Sequence, residues 1–169
     1  MVLWDFDENK NYVTINNYKV LNLKDADKAA ELLNNVNLLI LRVLIAIEFK
    51  EKRTPEINVL LSTPHILQEM QIIKDQGTIK FEGLNKPKDV KKTSNISVGP
   101  DGKLRARYRV IFLTLRNNKG QLKKINDLKP LIAHELTHTA MNHVRWREDD
   151  HDETFNFYNK LIFRYLNLT

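Results

Sequence analysis

The chain contains no cysteine among its 169 residues. This absence excludes disulfide bonds and every metal site that depends on thiolate ligands. A long hydrophobic run is missing as well, because the longest apolar segment, residues 38–47, is too short to span a bilayer and contains Arg42. Residues 1–8 lack the basic start and apolar stretch of a signal peptide. We therefore expect an intracellular protein, in the cytoplasm or nucleus, with no membrane contact.

The composition is typical of a globular chain, with 42% hydrophobic and 28% charged residues. A length of 169 residues is enough for one hydrophobic core and too short for two sizeable domains. We therefore expect a single domain over residues 1–169, and we favour a monomer.

The most informative feature of the sequence is the motif His-Glu-Leu-Thr-His at residues 134–138. Apolar residues recur around it at near-helical spacing, so we expect a helix from about residue 128 to about residue 142. On such a helix His134 and His138 project from one face and can bind one zinc ion. Glu135 lies beside the first ligand, where it can act as a general base towards a metal-activated water.

A catalytic zinc site needs a third protein ligand. On a continuing helix His143 would point about 180° away from His134, and no glycine precedes it to end the helix. His151 follows a polar loop that can turn the chain back, and it precedes a second helical pattern that would hold it rigidly. We therefore expect His134, His138 and His151 to be the ligands. His143 would then support the site from behind, face the substrate or be merely exposed, and the simplest interpretation is exposure.

These residues resemble the H-E-L-x-H … H-x-x-x-F signature of the WLM and SprT-like zinc metalloproteases, with His151 and Phe155 in its second part. Peptidases of this layout occur in large DNA viruses and in eukaryotes. The resemblance covers about residues 105–166; Asp152 stands where the family usually has glycine. It implies a zincin-like fold, a zinc cofactor and hydrolysis of protein substrates, including proteins crosslinked to DNA.

The remaining patterns predict a mixed order of helices and strands. His65 is expected to cap a helix or lie at the surface. The expected elements are strands at residues 12–15 and 18–21 around Asn16 and Asn17, a long helix capped by Asp25, a strand at 57–61, a short helix begun by Thr63 and Pro64 and ended by Gly77, strands at 78–82, 95–98 and 103–115, and caps at Asn126 and Asp127 for the motif helix. This order predicts an α+β fold in which a small, mainly antiparallel sheet packs with the motif helix, the long N-terminal helix and a C-terminal helix.

Basic residues alternate along the strand before the motif helix, so that all of them would project from one face. They are Lys103, Arg105, Arg107 and Arg109. With a net charge of +6, such a stripe can attract DNA or acidic substrates, although an ordinary solvated face is the simpler interpretation. We also expect this strand to be a sheet edge along which an extended peptide binds. Trp146 either lines a substrate pocket or fastens its loop to the core.

Two functional hypotheses follow from these patterns. The first is a zinc-dependent endopeptidase with Glu135 as general base, acting on protein substrates that include DNA-associated or DNA-crosslinked proteins. The second is a non-catalytic, zinc-containing module that binds nucleic acid or protein. The intact Glu135 favours the first, because a purely structural zinc site has no use for a base there. A metal-dependent hydrolase of another substrate is a third, weaker hypothesis.

Overall fold

The computed structural model of the chain describes residues 11–71, 73–75, 78–92, 104–144 and 151–169. Within these residues lie four helices and seven strands. The helices are α1 (Ala26–Lys50), α2 (Pro55–Ser62), α3 (Ile125–Ala140) and α4 (Glu153–Leu168). The strands are β1 (Tyr12–Ile15), β2 (Tyr18–Leu21), β3 (His65–Glu69), β4 (Ile73–Asp75), β5 (Thr78–Phe81), β6 (Gly83–Lys92) and β7 (Leu104–Leu113).

Five of the strands form one sheet in the order β1-β2-β3-β7-β6. The outer pairs, β1 with β2 and β6 with β7, are antiparallel, whereas β3 runs parallel to both of its neighbours. The parallel pairing of β2 with β3 follows from the helical crossover through α1 and α2, which returns the chain in the same direction. The α+β class is therefore confirmed, but the sheet is mixed rather than mainly antiparallel.

The helices cover one face of this sheet, and alternate residues of β7 show the division. Ile111 and Leu113 belong to the large core shared with α1, α3 and α4. Val110 and Phe112 point the other way, into a smaller cluster with Met70 and Leu84. The motif helix α3 therefore packs on the face of β7 that carries its odd-numbered residues.

Two predictions for the middle of the chain are wrong, and two Thr-Pro pairs explain why. Residues 57–61 lie inside α2, not in a strand, because Thr54 caps that helix by accepting a hydrogen bond from the backbone N–H of Ile57. Thr63 and Pro64 lead into β3 and not into a helix, since the carbonyl of Pro64 accepts a hydrogen bond from the backbone of Arg109. Gly77 lies outside the described residues.

Other predicted elements agree with the structure. Strands β1 and β2 flank Asn16 and Asn17, which both have positive φ, and α4 buries the periodic apolar residues of the C-terminal pattern. Strand β7 forms as predicted, but it pairs with β6, which was not predicted. The predicted strand at 95–98 and the turn at 99–102 lie outside the described residues.

A buried ion network joins the start of α1 to the sheet. Arg116 donates to Glu69 on β3 at 2.8 Å and to Asp25 at 2.7 Å. The second carboxylate oxygen of Glu69 accepts from the backbone N–H of Leu21. Asp25 thus precedes α1 as predicted, yet its side chain makes an ion pair and forms no cap with the helix.

Within the described residues, α1 is the one helix that could cross a membrane by length and apolar composition. It is longer than the apolar segment considered from the sequence. Core helices of soluble proteins and signal sequences have the same properties, and α1 places nine of its residues in the buried core. The intracellular location therefore stays a prediction.

Candidate metal centre

Helix α3 carries the His-Glu-Leu-Thr-His motif and begins earlier than predicted. Its N-cap is Lys124, which forms no side-chain cap, so Asn126 and Asp127 lie in the first turn and do not cap the helix. Asp127 still stabilises this end, because a carboxylate interacts favourably with the positive end of the helix dipole. Pro130 lies inside the helix and has no N–H to donate to the carbonyl of Asn126. Both residues are exposed, so water can hydrogen-bond to that carbonyl instead.

The three predicted ligands lie together. The Nε2 atoms of His134 and His138 are 3.2 Å apart, and one ring nitrogen from each of His134, His138 and His151 lies within 4.8 Å of the others. Zinc–nitrogen bonds of 2.0–2.1 Å in a tetrahedral site separate two nitrogens by about 3.3 Å. The spacing of the first two ligands therefore already fits a metal ion, and the third can join them after a small movement.

The third histidine precedes α4 directly. Asp152 caps this helix by accepting a hydrogen bond of 2.9 Å from the backbone N–H of Phe155. The cap fixes the direction in which the chain enters α4 and so orients His151, which is exposed. The structure thus brings together the residues that the sequence predicted as ligands.

Burial keeps the two helix ligands neutral. It lowers the pKa of His138 from 6.5 to about 2, with a smaller contribution from the neighbouring His134. It also lowers the pKa of His134 to about 4, and the nearby His151 adds to this effect. At pH 7 both imidazoles therefore retain a lone pair with which to bind a metal ion.

Phe155 is the aromatic side chain against which the histidines pack. It is 1% exposed, and its ring centre lies 5.2 Å from that of His134, 4.9 Å from that of His138 and 4.5 Å from that of His151. His143 stacks on it with an interplanar angle of 2°. Phe155 therefore holds the rings in place from the α4 side, which gives a physical role to the last residue of the signature.

Glu135 is buried, with 3% of its side chain exposed. Its carboxylate lies against Gly83, the first residue of β6. A Cβ atom at that position would be only 2.8 Å from Oε2 of Glu135 and 2.7 Å from Cδ1 of Leu131. The absence of a side chain at residue 83 therefore leaves the space that the carboxylate occupies.

The prediction that His143 is exposed is wrong. Helix α3 stops at Ala140, and Asn142 adopts a left-handed conformation with φ of +56°. The N–H of Asn142 then bonds to the carbonyl of Thr139, and the N–H of His143 bonds to that of His138. These bonds define a Schellman turn. The prediction assumed that only glycine could end the helix here, but asparagine can also adopt the left-handed conformation that this turn requires. The turn brings Nδ1 of His143 to 2.9 Å from Nδ1 of His138.

A polar cluster behind α3 was not predicted. Asn85 on β6 donates to the carbonyl of Glu135 at 2.6 Å and to the hydroxyl of Thr139 at 2.8 Å. The same hydroxyl lies 2.8 Å from Nε2 of His65, which is a half-buried residue of β3 and not a helix cap. Burial, followed by the charge of Arg109, lowers the pKa of His65 to about 3. Only the pairing of distant strands brings these residues together, so no local signal in the sequence indicated them.

The three arginines of the predicted basic stripe lie on the face of β7 that the helices partly cover, and Lys103 lies outside the described residues. Arg109 is 1% exposed and donates to Oδ1 of Asn85 and to the carbonyl of His143. Arg105 is half-buried and hydrogen-bonded to Ser62. Only Arg107 is exposed, with 74% of its side chain accessible. These three arginines therefore do not form the solvated stripe that the alternation indicated.

The predicted site for an extended peptide also changes. Strand β7 lies between β3 and β6, so it is not a sheet edge as the sequence suggested. The edge nearest to α3 is β6, which carries Gly83 and Asn85. Trp146, predicted to contact substrate or to fasten its loop, lies outside the described residues.

Comparison with protein-family models, with curated proteins and with solved structures finds no match to this chain. The fold and the candidate site therefore depend on the residues described above. Membership of the WLM and SprT-like family stays a prediction, as does the identity of the metal. The structure itself shows an α+β fold in which His134, His138 and His151 could bind a metal ion.

Proposed function

We propose that the chain is a zinc-dependent endopeptidase. The observation that carries this proposal is that ring nitrogens of His134, His138 and His151 lie within 4.8 Å of one another. The buried Glu135 directly follows the first of these histidines in the chain. Three imidazole ligands suit zinc and are typical of catalytic sites, which keep one position for water or substrate. A purely structural site usually has four protein ligands and needs no carboxylate next to the first of them.

A bound zinc ion supplies Lewis acidity and lowers the pKa of water towards 7. The residues of the chain supply the rest. Glu135 takes a proton from the attacking water at its carboxylate and passes it to the nitrogen of the leaving amine. The side-chain amide of Asn85 donates a hydrogen bond to the backbone carbonyl of Glu135, and Gly83 leaves room for the carboxylate of Glu135. The backbone of the base is therefore held by Asn85, and its carboxylate occupies space that a side chain at residue 83 would fill.

The substrate would lie along β6. The residue just before β6, Glu82, accepts a hydrogen bond from the backbone N–H of Thr114, just after β7. Because the backbone groups of a strand alternate in direction, the even-numbered residues of β6 also bond to β7. The backbone N–H and carbonyl groups of Gly83 and Asn85 consequently point towards the edge of β6 that no described strand covers. An extended peptide can add there as a further strand, which gives affinity through main-chain bonds and tolerates varied sequences.

Metal analysis tests the ligand set. We expect one zinc per chain in the parent, and a large loss of zinc in His134→Ala, His138→Ala and His151→Ala. His65→Gln is the matched control, because it removes a half-buried histidine that lies outside the ligand cluster. Full zinc occupancy in His151→Ala would exclude the proposed third ligand.

Cleavage of fluorescently labelled casein tests catalysis. Glu135→Gln preserves shape but cannot accept the proton, so we expect it to retain zinc and to lose at least 100-fold in kcat, the usual scale for a general base. The parent should also lose activity on chelation and regain it with added zinc. Equal cleavage by the parent and Glu135→Gln, in preparations free of other proteases, would refute the assignment of the base.

Association with DNA stays a prediction, and the proposed activity does not depend on it. The buried position of Arg109 and the hydrogen bond of Arg105 remove the exposed stripe that suggested it. Binding to duplex DNA across a salt series, compared between the parent and Arg107→Gln, measures whether this surface contributes through counterion release.

A further inference from the structure

We propose that His143 is a positioning residue that fixes the orientation and tautomer of His138, so that Nε2 of His138 faces the metal. This inference rests on the proposed function only in taking His138 as a ligand. It assigns a role to a buried histidine that lies outside the ligand cluster and is not the base.

The two ring nitrogens of His138 face different partners. Its Nε2 lies 3.2 Å from Nε2 of His134, on the side of the ligand cluster. Its Nδ1 lies 2.9 Å from Nδ1 of His143, on the opposite side of the ring. A neutral imidazole has one protonated nitrogen, and the other carries the lone pair.

Only one arrangement of protons is compatible with metal binding. If Nε2 of His138 is the ligand atom, its proton must be on Nδ1, and Nδ1 of His143 must accept the hydrogen bond. The reverse arrangement, with His143 donating, would place a proton on the ligand atom of His138. An acceptor at residue 143 therefore favours the tautomer that binds metal, as hydrogen-bond partners of metal-ligating histidines usually do.

His143 is itself held from three directions. Its carbonyl accepts a hydrogen bond of 3.0 Å from Arg109, and its ring stacks on Phe155. The left-handed Asn142 turns the chain towards His138 and is anchored by a hydrogen bond of 2.8 Å from its side chain to the carbonyl of Leu104. The ring of His143 is thus held beside His138 by the end of α3.

Two substitutions of similar size separate hydrogen bonding from packing. In His143→Asn the side-chain oxygen occupies nearly the position of Nδ1 and can accept the same bond. In His143→Leu a methyl group occupies that position and cannot accept it. A merely structural role would be disturbed comparably by both, whereas a positioning role should be rescued by asparagine.

The first measurement is the zinc dissociation constant, determined by competition with a chelating dye in folded protein. We expect His143→Leu to bind zinc about 10- to 100-fold more weakly, the usual effect of losing such a partner. His143→Asn should remain close to the parent. Affinity of His143→Leu equal to the parent, or of His143→Asn as weak as His143→Leu, would overturn the proposal.

The second measurement needs no metal. Nitrogen-15 NMR of the zinc-free protein reports which ring nitrogen of His138 carries the proton. We expect protonated Nδ1 in the parent and in His143→Asn, and a mixture of tautomers in His143→Leu. An unchanged tautomer in His143→Leu would overturn the proposal. A parent that binds no zinc would overturn the proposed function instead.

A second pair of variants tests the same contact if substitution of His143 prevents folding. Asn142→Gly and Asn142→Ala both lose the bond to Leu104, but only glycine adopts the left-handed conformation without strain. We expect Asn142→Ala to bind zinc more weakly than Asn142→Gly, since the strained turn displaces His143. Equal zinc affinities would count against the role of the turn in placing His143.

Discussion

Substitution of Gly83 by alanine should impair catalysis while leaving the metal in place. The added Cβ would lie 2.7 Å from Cδ1 of Leu131 and 2.8 Å from Oε2 of Glu135, whereas ordinary contacts are about 3.5 Å or more. Relief of this contact by the carboxylate alone requires a movement of about 0.7 Å. Since a displacement of about 1 Å in a catalytic geometry can cost 100-fold, we expect kcat to fall about 10- to 100-fold.

The assay compares kcat for labelled casein with zinc content and thermal stability. Overpacking costs about 1–3 kcal/mol, so Gly83→Ala should also be somewhat less stable. Gly120→Ala is the control: it is strained by a φ of +79° but has no atom within 4 Å of the added Cβ. It should lose stability and keep its kcat. Parent-like kcat in Gly83→Ala at equal zinc content would refute the inferred contact with the base.

Two further predictions concern stability. Arg116→Met should destabilise the protein by about 3–5 kcal/mol in urea unfolding, because it leaves the carboxylate of Glu69, which is 1% exposed, without its ion pair. Adding Glu69→Gln should recover part of this loss. Equal stability of the single and double variants would contradict this explanation. For metal-free protein, the lowered pKa of His65 means that the unfolded chain takes up a proton below pH 6.5 while the folded chain does not until about pH 3. The free energy of unfolding should therefore fall as the pH drops from 6.5 towards 3. His65→Gln should reduce the dependence of this free energy on pH by up to about 1.4 kcal/mol per pH unit. The same pH dependence in the parent and the variant would exclude His65 as a contributor.

The sequence predicted the ligand cluster because its main signals are local. Positions i and i+4 of a helix share a face wherever the helix forms, so His134 and His138 needed no knowledge of the tertiary structure. His151 was identified from the start of the next helical pattern. The H-x-x-x-F spacing placed Phe155 in the first turn of that helix, where it contacts the ligand rings.

The parts that were missed depend on long-range pairing or on a single backbone angle. Thr54-Pro55 and Thr63-Pro64 are the same local signal, and only the hydrogen bond between Pro64 and Arg109 makes the second one a strand start. The left-handed angle of Asn142 reversed the expected direction of His143. The arginines that alternate on β7 do lie on one face of the strand, but the sequence does not reveal which face of a strand a helix will cover.

The third ligand does not belong to the helix that carries the other two. His138 is near the end of α3, and His151 stands directly before α4. A metal ion held by both would act as a crosslink between two helices, in the manner of a removable disulfide. By mass action such a crosslink would add about 2.7 kcal/mol to folding at a free metal concentration 100 times its dissociation constant. The melting temperature of the protein would then report the metal supply of its surroundings.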